Sequence, residues 1–424
     1  MFTPLITRSL TLFALPVFSF LIAVSGVSAT SIDDLISSFE TDIPELQQQY
    51  DVPGVGVALI EDGETVWMHG FGYTDLDSTE LVDSTSVFQV GRLTELITAM
   101  GILVLVDEGR IQLDQPFWSY VSQWKFSSTG YNHEEVTIRR LLNHSAGIAP
   151  IISKGFQAGE SYPGLISYLE GQTNLMGKVS LSYEPGSKFT YSAGGYALLQ
   201  LIVENVTEQN FCDYMRRRIL EPLGMHQSGF TCRQVDTAKA VTSYTSRHRE
   251  IPQYRHTAQA AVGLRTTIHD FALFVSALLE SPDGNQPGRG LLSPSLLTEM
   301  YRPQGPSNGQ YGLGCCLTPL EWGGEMIHQC CGMHGWRAQA AVVPDQQRGL
   351  IIFSNVPAGE KLIRKMFSSW CQMYDLSCIP CAEKGQVSRA RVTTINILIT
   401  GVILVLLLFV GFMGWKARHQ KQIR

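Results

Sequence analysis

Val87-Phe88-Gln89-Val90-Gly91-Arg92-Leu93-Thr94-Glu95-Leu96-Ile97-Thr98-Ala99-Met100 reads as a buried strand end or turn, a glycine, and then a helix running apolar towards Glu108-Gly109. Gly91 lets the backbone turn tightly before the helix begins. Positions 92 and 95 then stand one helical turn apart on one face, at the helix mouth. They hold Arg92 and Glu95. Two readings of the pair stay open: an i,i+3 ion pair that fills space, or a guanidinium at a helix N-terminus that holds an anion.

Working outward, Ser31 to Tyr50 has helical spacing in Ile32, Leu35, Ile36, Phe39, Ile43 and Leu46, with Asp33-Asp34 suiting a helix start. Val55–Ile60 and Glu64–Gly70 flank Asp62-Gly63, a hairpin signal. Val136 to Gly147 predicts a short helix closing on glycine, and Pro150 to Gly186 reads as irregular, lid-like loops. A helical pattern follows Tyr191-Ser192-Ala193 to Glu204, and a second runs through Cys212 to Ile219. Leu264 to Leu279 reads as another helix, with Thr267 or His269 near its start. Arg337–Val343 and Gly349–Ser354 read as strands around Asp345-Gln346-Gln347, and Lys361–Met373 as a covering helix. Strands at both ends with helices between predict an α+β domain: an antiparallel sheet built from both termini, flanked by helices, with a helical subdomain and a cleft between.

The ends of the 424-residue chain carry their own signals. Arg8, the uncharged run Ser9–Thr30 and the exit Val27-Ser28-Ala29 describe a signal peptide over residues 1–29. Residues 30–380 then form the extracytoplasmic domain, and 381–391 a juxtamembrane stalk. Val392 to Trp415 holds no charged side chain and is long enough to span a bilayer. Residues 416–424, with Lys416, Arg418, Lys421 and Arg424, form a short cytoplasmic tail. The expected location is a single-pass membrane protein with its domain outside. A net charge of −6 without a basic stripe argues against nucleic acid as a partner.

All nine cysteines lie from Cys212 onward, and export favours pairing some of them. Sequence alone leaves their connectivity open. Cys378-Ile-Pro-Cys381 reads as a disulfide near the stalk rather than a redox or zinc motif. No metal and no cofactor is expected, for there is no H-E-x-x-H and no ligand-like histidine cluster.

Taken together, Val52-Pro53-Gly54, Gly70-Phe71-Gly72-Tyr73, Phe88 to Ala99, Val136 to Gly147, Tyr183-Glu184-Pro185-Gly186, Tyr191-Ser192, Glu221 to Met225, Gly335-Trp336-Arg337 and Pro344-Asp345 follow a familiar order. In it the chain resembles the serine β-lactamase and penicillin-binding-protein-like family, in its class C β-lactamase, D,D-peptidase and esterase branch, over about residues 32–375. The resemblance implies three elements: Ser-x-x-Lys at a helix start, Tyr-x-Asn, and Lys-Thr-Gly or His-x-Gly on an edge strand. The first supplies nucleophile and base, the second a proton relay and a positioning amide. The third binds the substrate carboxylate and lines the oxyanion region.

Every element departs from that pattern. Arg92-Leu93-Thr94-Glu95 stands where Ser-x-x-Lys belongs, and a guanidinium cannot attack a carbonyl. Tyr191-Ser192-Ala193 keeps the tyrosine and loses the amide. Counting back from Gly335 places Gln329-Cys330-Cys331 in the third slot, and a shift of one residue places His328 there. Arg92, Glu95, Tyr191, Ala193 and Gln329 are thus the degenerate catalytic positions. Arg92, Tyr191, Ser192 and His334 are the candidate ligand-binding residues.

The expectation is a retired active site with a binding or scaffolding role. Its partner would be a peptide, a cell-wall fragment or another membrane protein. The alternative is an active hydrolase of ester or amide bonds with a displaced nucleophile: Ser192, His144-Ser145, or Cys331 beside His334.

Overall fold

The Asp62-Gly63 turn has positive φ at both residues (50° and 74°), the geometry a two-residue hairpin needs. It joins β1 (Gly54–Glu61) to β2 (Glu64–Gly72) in antiparallel register, Val57 opposite His69. The computed structural model describes residues 31–376, apart from 78, 128–129, 152–154, 158, 173–176 and 231–238. The expected signal peptide, stalk, membrane span and tail lie outside the described residues, as do Cys378 and Cys381. Among the described residues no helix is long and apolar enough to cross a membrane.

Four more strands come from the other end of the domain: β3 (Cys316–Pro319), β4 (Glu325–Met333), β5 (Trp336–Val343) and β6 (Arg348–Ser354). The six strands form one antiparallel sheet in the order β3-β4-β5-β6-β1-β2, with Val57 opposite Ile352 where the two termini meet. Alternation along β1 splits the core: Val55, Val57 and Leu59 face one side, Ala58 and Ile60 the other.

On the first face lie α1 (Ile32–Tyr50) and, later, α5 (Gly359–Met373). Ser31 and Asp34 make a reciprocal capping box at the start of α1, which aims Leu35, Phe39, Ile43 and Leu46 at the sheet. From α5, Phe367 and Trp370 join them in the same core. On the second face lie α2 (Thr94–Asp107), α3 (Ala193–Thr207) and α4 (Ile268–Ala277). In α2 every residue from Thr94 to Leu105 is buried, which makes it a central helix rather than a surface one.

Three details differ from the sequence reading. Leu264–Thr266 is a strand, and α4 begins only at Ile268, where the Thr267 hydroxyl accepts the Asp270 N–H. The short helix Phe211–Met215 gives way to a wider, π-type turn over Arg216–Leu220. Arg92 lies in a 3₁₀ turn, Gly91–Leu93, which precedes α2. Cys212, Cys330 and Cys371 are disulfide-bonded. Cys330 and Cys331 are neighbours on a strand, so they point to opposite faces. Cys331 is a buried free thiol. Adjacent cysteines of unlike fate follow from the strand's period of two.

Candidate functional site

The strand Phe88–Gln89 pairs with Leu264–Thr266, and the chain then turns at Gly91 into α2. Thr94 fixes that turn: its hydroxyl donates to the Gly91 carbonyl at 2.5 Å and accepts the Leu264 N–H at 3.1 Å. Gly91 has φ +48°, and a Cβ there would meet the Cys331 sulfur at 2.1 Å. Only glycine fits, so the helix mouth rests directly on β4.

Because α2 is buried all round, Glu95 is fully buried. A carboxylate out of water needs donors around it. Four converge on its Oε2: Gln329 Nε2 at 3.3 Å, Tyr311 Oη at 3.4 Å, His144 Nε2 at 3.4 Å and, at 4.0 Å, Arg92 Nε. Ser192 donates its backbone N–H to His144 Nδ1 at 3.4 Å. That leaves the imidazole proton on Nε2, facing Glu95. Four aromatic rings surround the same histidine, Tyr191 at 4.7 Å and Tyr196, Tyr311 and Phe189 within 5.8 Å.

The guanidinium of Arg92 lies 3.8 Å above the centre of the Tyr191 ring, a cation–π contact. Its side chain remains 31% exposed. Burial opposes its charge, but Tyr191 and Glu95 more than offset that and push its pKa up. Tyr191 moves the other way from a base. Burial, then the Glu95 carboxylate, raise its pKa well above the usual phenol value, and Arg92 only partly opposes them. A general base works best near the operating pH. Here Tyr191 is held as a neutral phenol.

Thus Arg92, Glu95, Tyr191 and Gln329 stand together, with Ala193 opening α3 beside them. The register of β4 turns Gln329 towards Glu95, while His328 faces Thr318 Oγ1 at 3.0 Å. Ser192 is the cap of α3: its buried hydroxyl donates to the Ala149 carbonyl at 2.7 Å and accepts the Gly194 N–H. Ser145 Oγ donates to Asn143 Oδ1 at 2.6 Å, away from the His144 ring. His334 stacks on Tyr254, ring centres 4.1 Å apart. The Cys331 thiol instead packs against Gly91 at the helix mouth, and burial raises its pKa above the usual thiol value, which the neighbouring Arg92 only partly opposes. Thiolate reactivity needs the opposite shift.

Tyr311, Tyr196 and His144 complete the Glu95 cluster without having been singled out for it from sequence. The signal available was Tyr311-Gly312-Leu313-Gly314, since glycines beside an aromatic residue mark close backbone approach. At Gly314 a Cβ would meet Ala99 Cβ at 2.6 Å and the Tyr196 hydroxyl at 3.0 Å. Among the described residues no three His, Cys, Asp or Glu side chains group as metal ligands.

Comparison with known proteins gives the same outline. The Beta-lactamase family model matches residues 39–366. Protein flp of Staphylococcus aureus is 23% identical over 402 residues, covering 91% of this chain and 76% of its own. Penicillin-binding protein 4* of Bacillus subtilis is 23% identical over 320 residues, 70% of this chain and 67% of that protein. Among solved structures, the octameric penicillin-binding protein homologue of Pyrococcus abyssi superposes with a TM-score of 0.62 at 23% identity, covering 80% of this chain and 78% of that one. FmtA of Staphylococcus aureus gives 0.64 at 16% identity, over 80% and 91%.

Proposed function

Since this chain belongs to the beta-lactamase family, matched over residues 39–366, we propose that it keeps the family's cleft for binding and has given up serine acyl transfer. Structures similar in fold include a β-lactamase/D-alanine carboxypeptidase of Pseudomonas syringae and a D-alanine carboxypeptidase of Burkholderia cenocepacia. Acyl transfer of that kind needs a nucleophile, a base and free donors for the developing oxyanion.

The observation that carries the proposal is the contact between Cys331 and the helix mouth. The Cys331 sulfur fills the space over Gly91, where a Cβ would meet it at 2.1 Å. In the resemblance the third element lines the oxyanion region, and here the Cys331 thiol stands in its slot, pressed against the helix mouth. Arg92 supplies no nucleophile, and Glu95 turns the neighbouring groups into its own donors. Every step loses a part for a separate physical reason.

Fluorescent penicillin, a fluorophosphonate probe and nitrocefin test the reading together. The expected result is no covalent label and no turnover. Stoichiometric labelling that disappears on changing one serine or cysteine would overturn it in favour of a displaced nucleophile.

For the ligand, Arg92 offers a cation that is part exposed and held over an aromatic ring. We assign it the anionic group of a peptide or cell-wall fragment. Binding of acidic peptides and wall fragments, measured with Arg92→Ala, checks this; undiminished affinity would exclude the role. With residues 1–29 as signal peptide and 392–415 as anchor, the domain would work outside the cell, tethered beside such ligands or a membrane-protein partner. Protease accessibility on intact cells, with and without residues 392–424, tests the placement.

A further inference from the structure

Cys330 carries a disulfide whose partner the fold narrows to one segment. Of the nine cysteines, Cys315, Cys316 and Cys331 are free, while Cys212, Cys330 and Cys371 are bonded. Alternation along β4 turns Gln329 and Cys331 to the helix-mouth face of the sheet, and Met326 and Cys330 to the face under α5. Cys212 belongs to the core on the helix-mouth face, so the sheet separates it from Cys330 and Cys371. Its neighbour Phe211 packs on Phe230, ring centres 5.0 Å apart, two residues before Cys232.

Cys330 and Cys371 share a face but stand too far apart to pair. Arg337, opposite Gly332 in the sheet, meets Glu360 in the first turn of α5 at 3.6 Å. From there α5 runs the length of the sheet, and Tyr374 Oη donates to Glu61 at the far end at 2.7 Å. Cys371 therefore lies about 16 Å along the helix from Glu360, and Cys330 only about 7 Å along the strand from Gly332. The difference of about 9 Å already exceeds the roughly 7 Å that a disulfide spans between Cα atoms.

The cysteines left for these two are Cys378 and Cys381. Leu376 donates its N–H to the Cys371 carbonyl at 2.9 Å, so the chain leaves the domain beside Cys371. From Leu376, two residues carry Cys378 at most about 7 Å and five carry Cys381 up to about 17 Å. Reach gives Cys378 to Cys371 and Cys381 to Cys330. We propose that these two disulfides clasp residues 377–381 across the α5 face onto the back of β4, which makes that face the docking site of the stalk. The tether then meets the domain on the strand whose front presses on the helix mouth through Cys331. Only residues 382–391 separate the clasp from the expected membrane span. Each bond forms by two exchanges with a disulfide donor such as oxidised glutathione. One thiolate opens the donor, the second displaces the mixed disulfide, and the donor leaves as two thiols carrying the two cysteine protons. The clasp rests on the export reading, since the cytosol keeps such thiols reduced.

Peptide mapping of the full-length protein without reduction tests it, after alkylation of the free thiols. The protein is taken from cells whose protease accessibility has already placed the domain outside, so a failed map sinks the clasp and leaves the placement standing. Trypsin releases residues 366–384, with Cys371, Cys378 and Cys381, and residues 290–337, with Cys330. The expected product is these two peptides joined, with Cys315, Cys316 and Cys331 alkylated. In Cys381→Ser, Cys330 should gain an alkyl group and Cys371 should not. In Cys330→Ser, Cys381 should gain it while Cys371 stays bonded. Because Cys381 lies beyond the domain, its variant keeps the map readable should Cys330→Ser fail to fold. A bond between Cys378 and Cys381 with Cys330 alkylated, or an alkyl group on Cys371 in Cys381→Ser, overturns the clasp as drawn.

Discussion

The sulfur of Cys331 occupies the place that a side chain at Gly91 would need: a Cβ at position 91 would lie 2.1 Å from it. The contact ties the helix mouth to β4 through one glycine and one thiol. It also joins the loss of the family's third element to the geometry of the first.

Gly91→Ala is therefore expected to cost about 3 kcal/mol or more. About 1–2 kcal/mol comes from a left-handed φ, and about 1–3 kcal/mol from overpacking. Cys331→Ala in the same chain should return the overpacking share, since the Cys331 Cβ would be 3.5 Å from the added methyl. A double-mutant cycle by urea unfolding should show coupling of about 1–2 kcal/mol. Additive effects would mean the two residues do not press on each other.

Alkali should destabilise the fold through its buried phenols. Burial and then the Glu95 carboxylate hold Tyr191, Tyr196 and Tyr311 well above the ordinary phenol value. A raised folded pKa gives stability that is fully present below the unfolded pKa, about 10. It is lost as pH climbs towards the folded value. Urea midpoints should fall steeply above about pH 10, with each phenol contributing up to about 1.4 kcal/mol per pH unit. Tyr311→Phe should flatten that slope, and an unchanged slope would show that this phenol ionises freely in the folded state.

Acid should act through His256. Burial, with His334 and Arg265 nearby, pushes its pKa down to about 3. A depressed folded pKa gives stability that is present above the unfolded value, about 6.5. That stability drains away as pH falls towards 3. Between pH 6 and 4 the loss should approach about 1.4 kcal/mol per pH unit beyond the carboxylate background. Unfolding measured at pH 7, 5 and 4 should be less acid-sensitive in His256→Gln than in the parent chain, and equal sensitivity would remove His256 from the account.

The parts of the fold that are local were legible in the residues. Asp62-Gly63 demanded a hairpin, and Ser31 with Asp34 started a helix. The strand β4 was harder: Met326, Ile327, His328 and Gln329 are all buried, so no alternation of polar and apolar residues marks it. Leu264–Thr266 was absorbed into the next helix because its three residues carry no period of their own. In the site, motif order located Arg92, Glu95, Tyr191 and Gln329. The meeting of Glu95 with Tyr311, 216 residues away, is a tertiary fact with no local trace.

Restoring the family's first motif alone should not restore its chemistry. Arg92→Ser with Glu95→Lys would recreate Ser-x-x-Lys by letter. The ammonium of the Glu95→Lys variant would then face Gln329 Nε2, Tyr311 Oη and His144 Nε2, all arranged to donate to a carboxylate. Replacing a buried acceptor by a donor leaves each of them unpaired, and such losses run to about 3–5 kcal/mol. The Cys331 thiol would still press on the helix mouth at Gly91, beside the new serine. The double variant is expected to unfold at lower urea and to stay unlabelled by fluorescent penicillin. Adding Gln329→Lys, Cys331→Gly and Ala193→Asn removes those obstacles in turn: it supplies a carboxylate-binding ammonium, opens the oxyanion region and returns the positioning amide. Labelling should therefore appear only in the combined variant. Acylation of the double variant would show instead that residues 92 and 95 alone account for the proposed loss of catalysis.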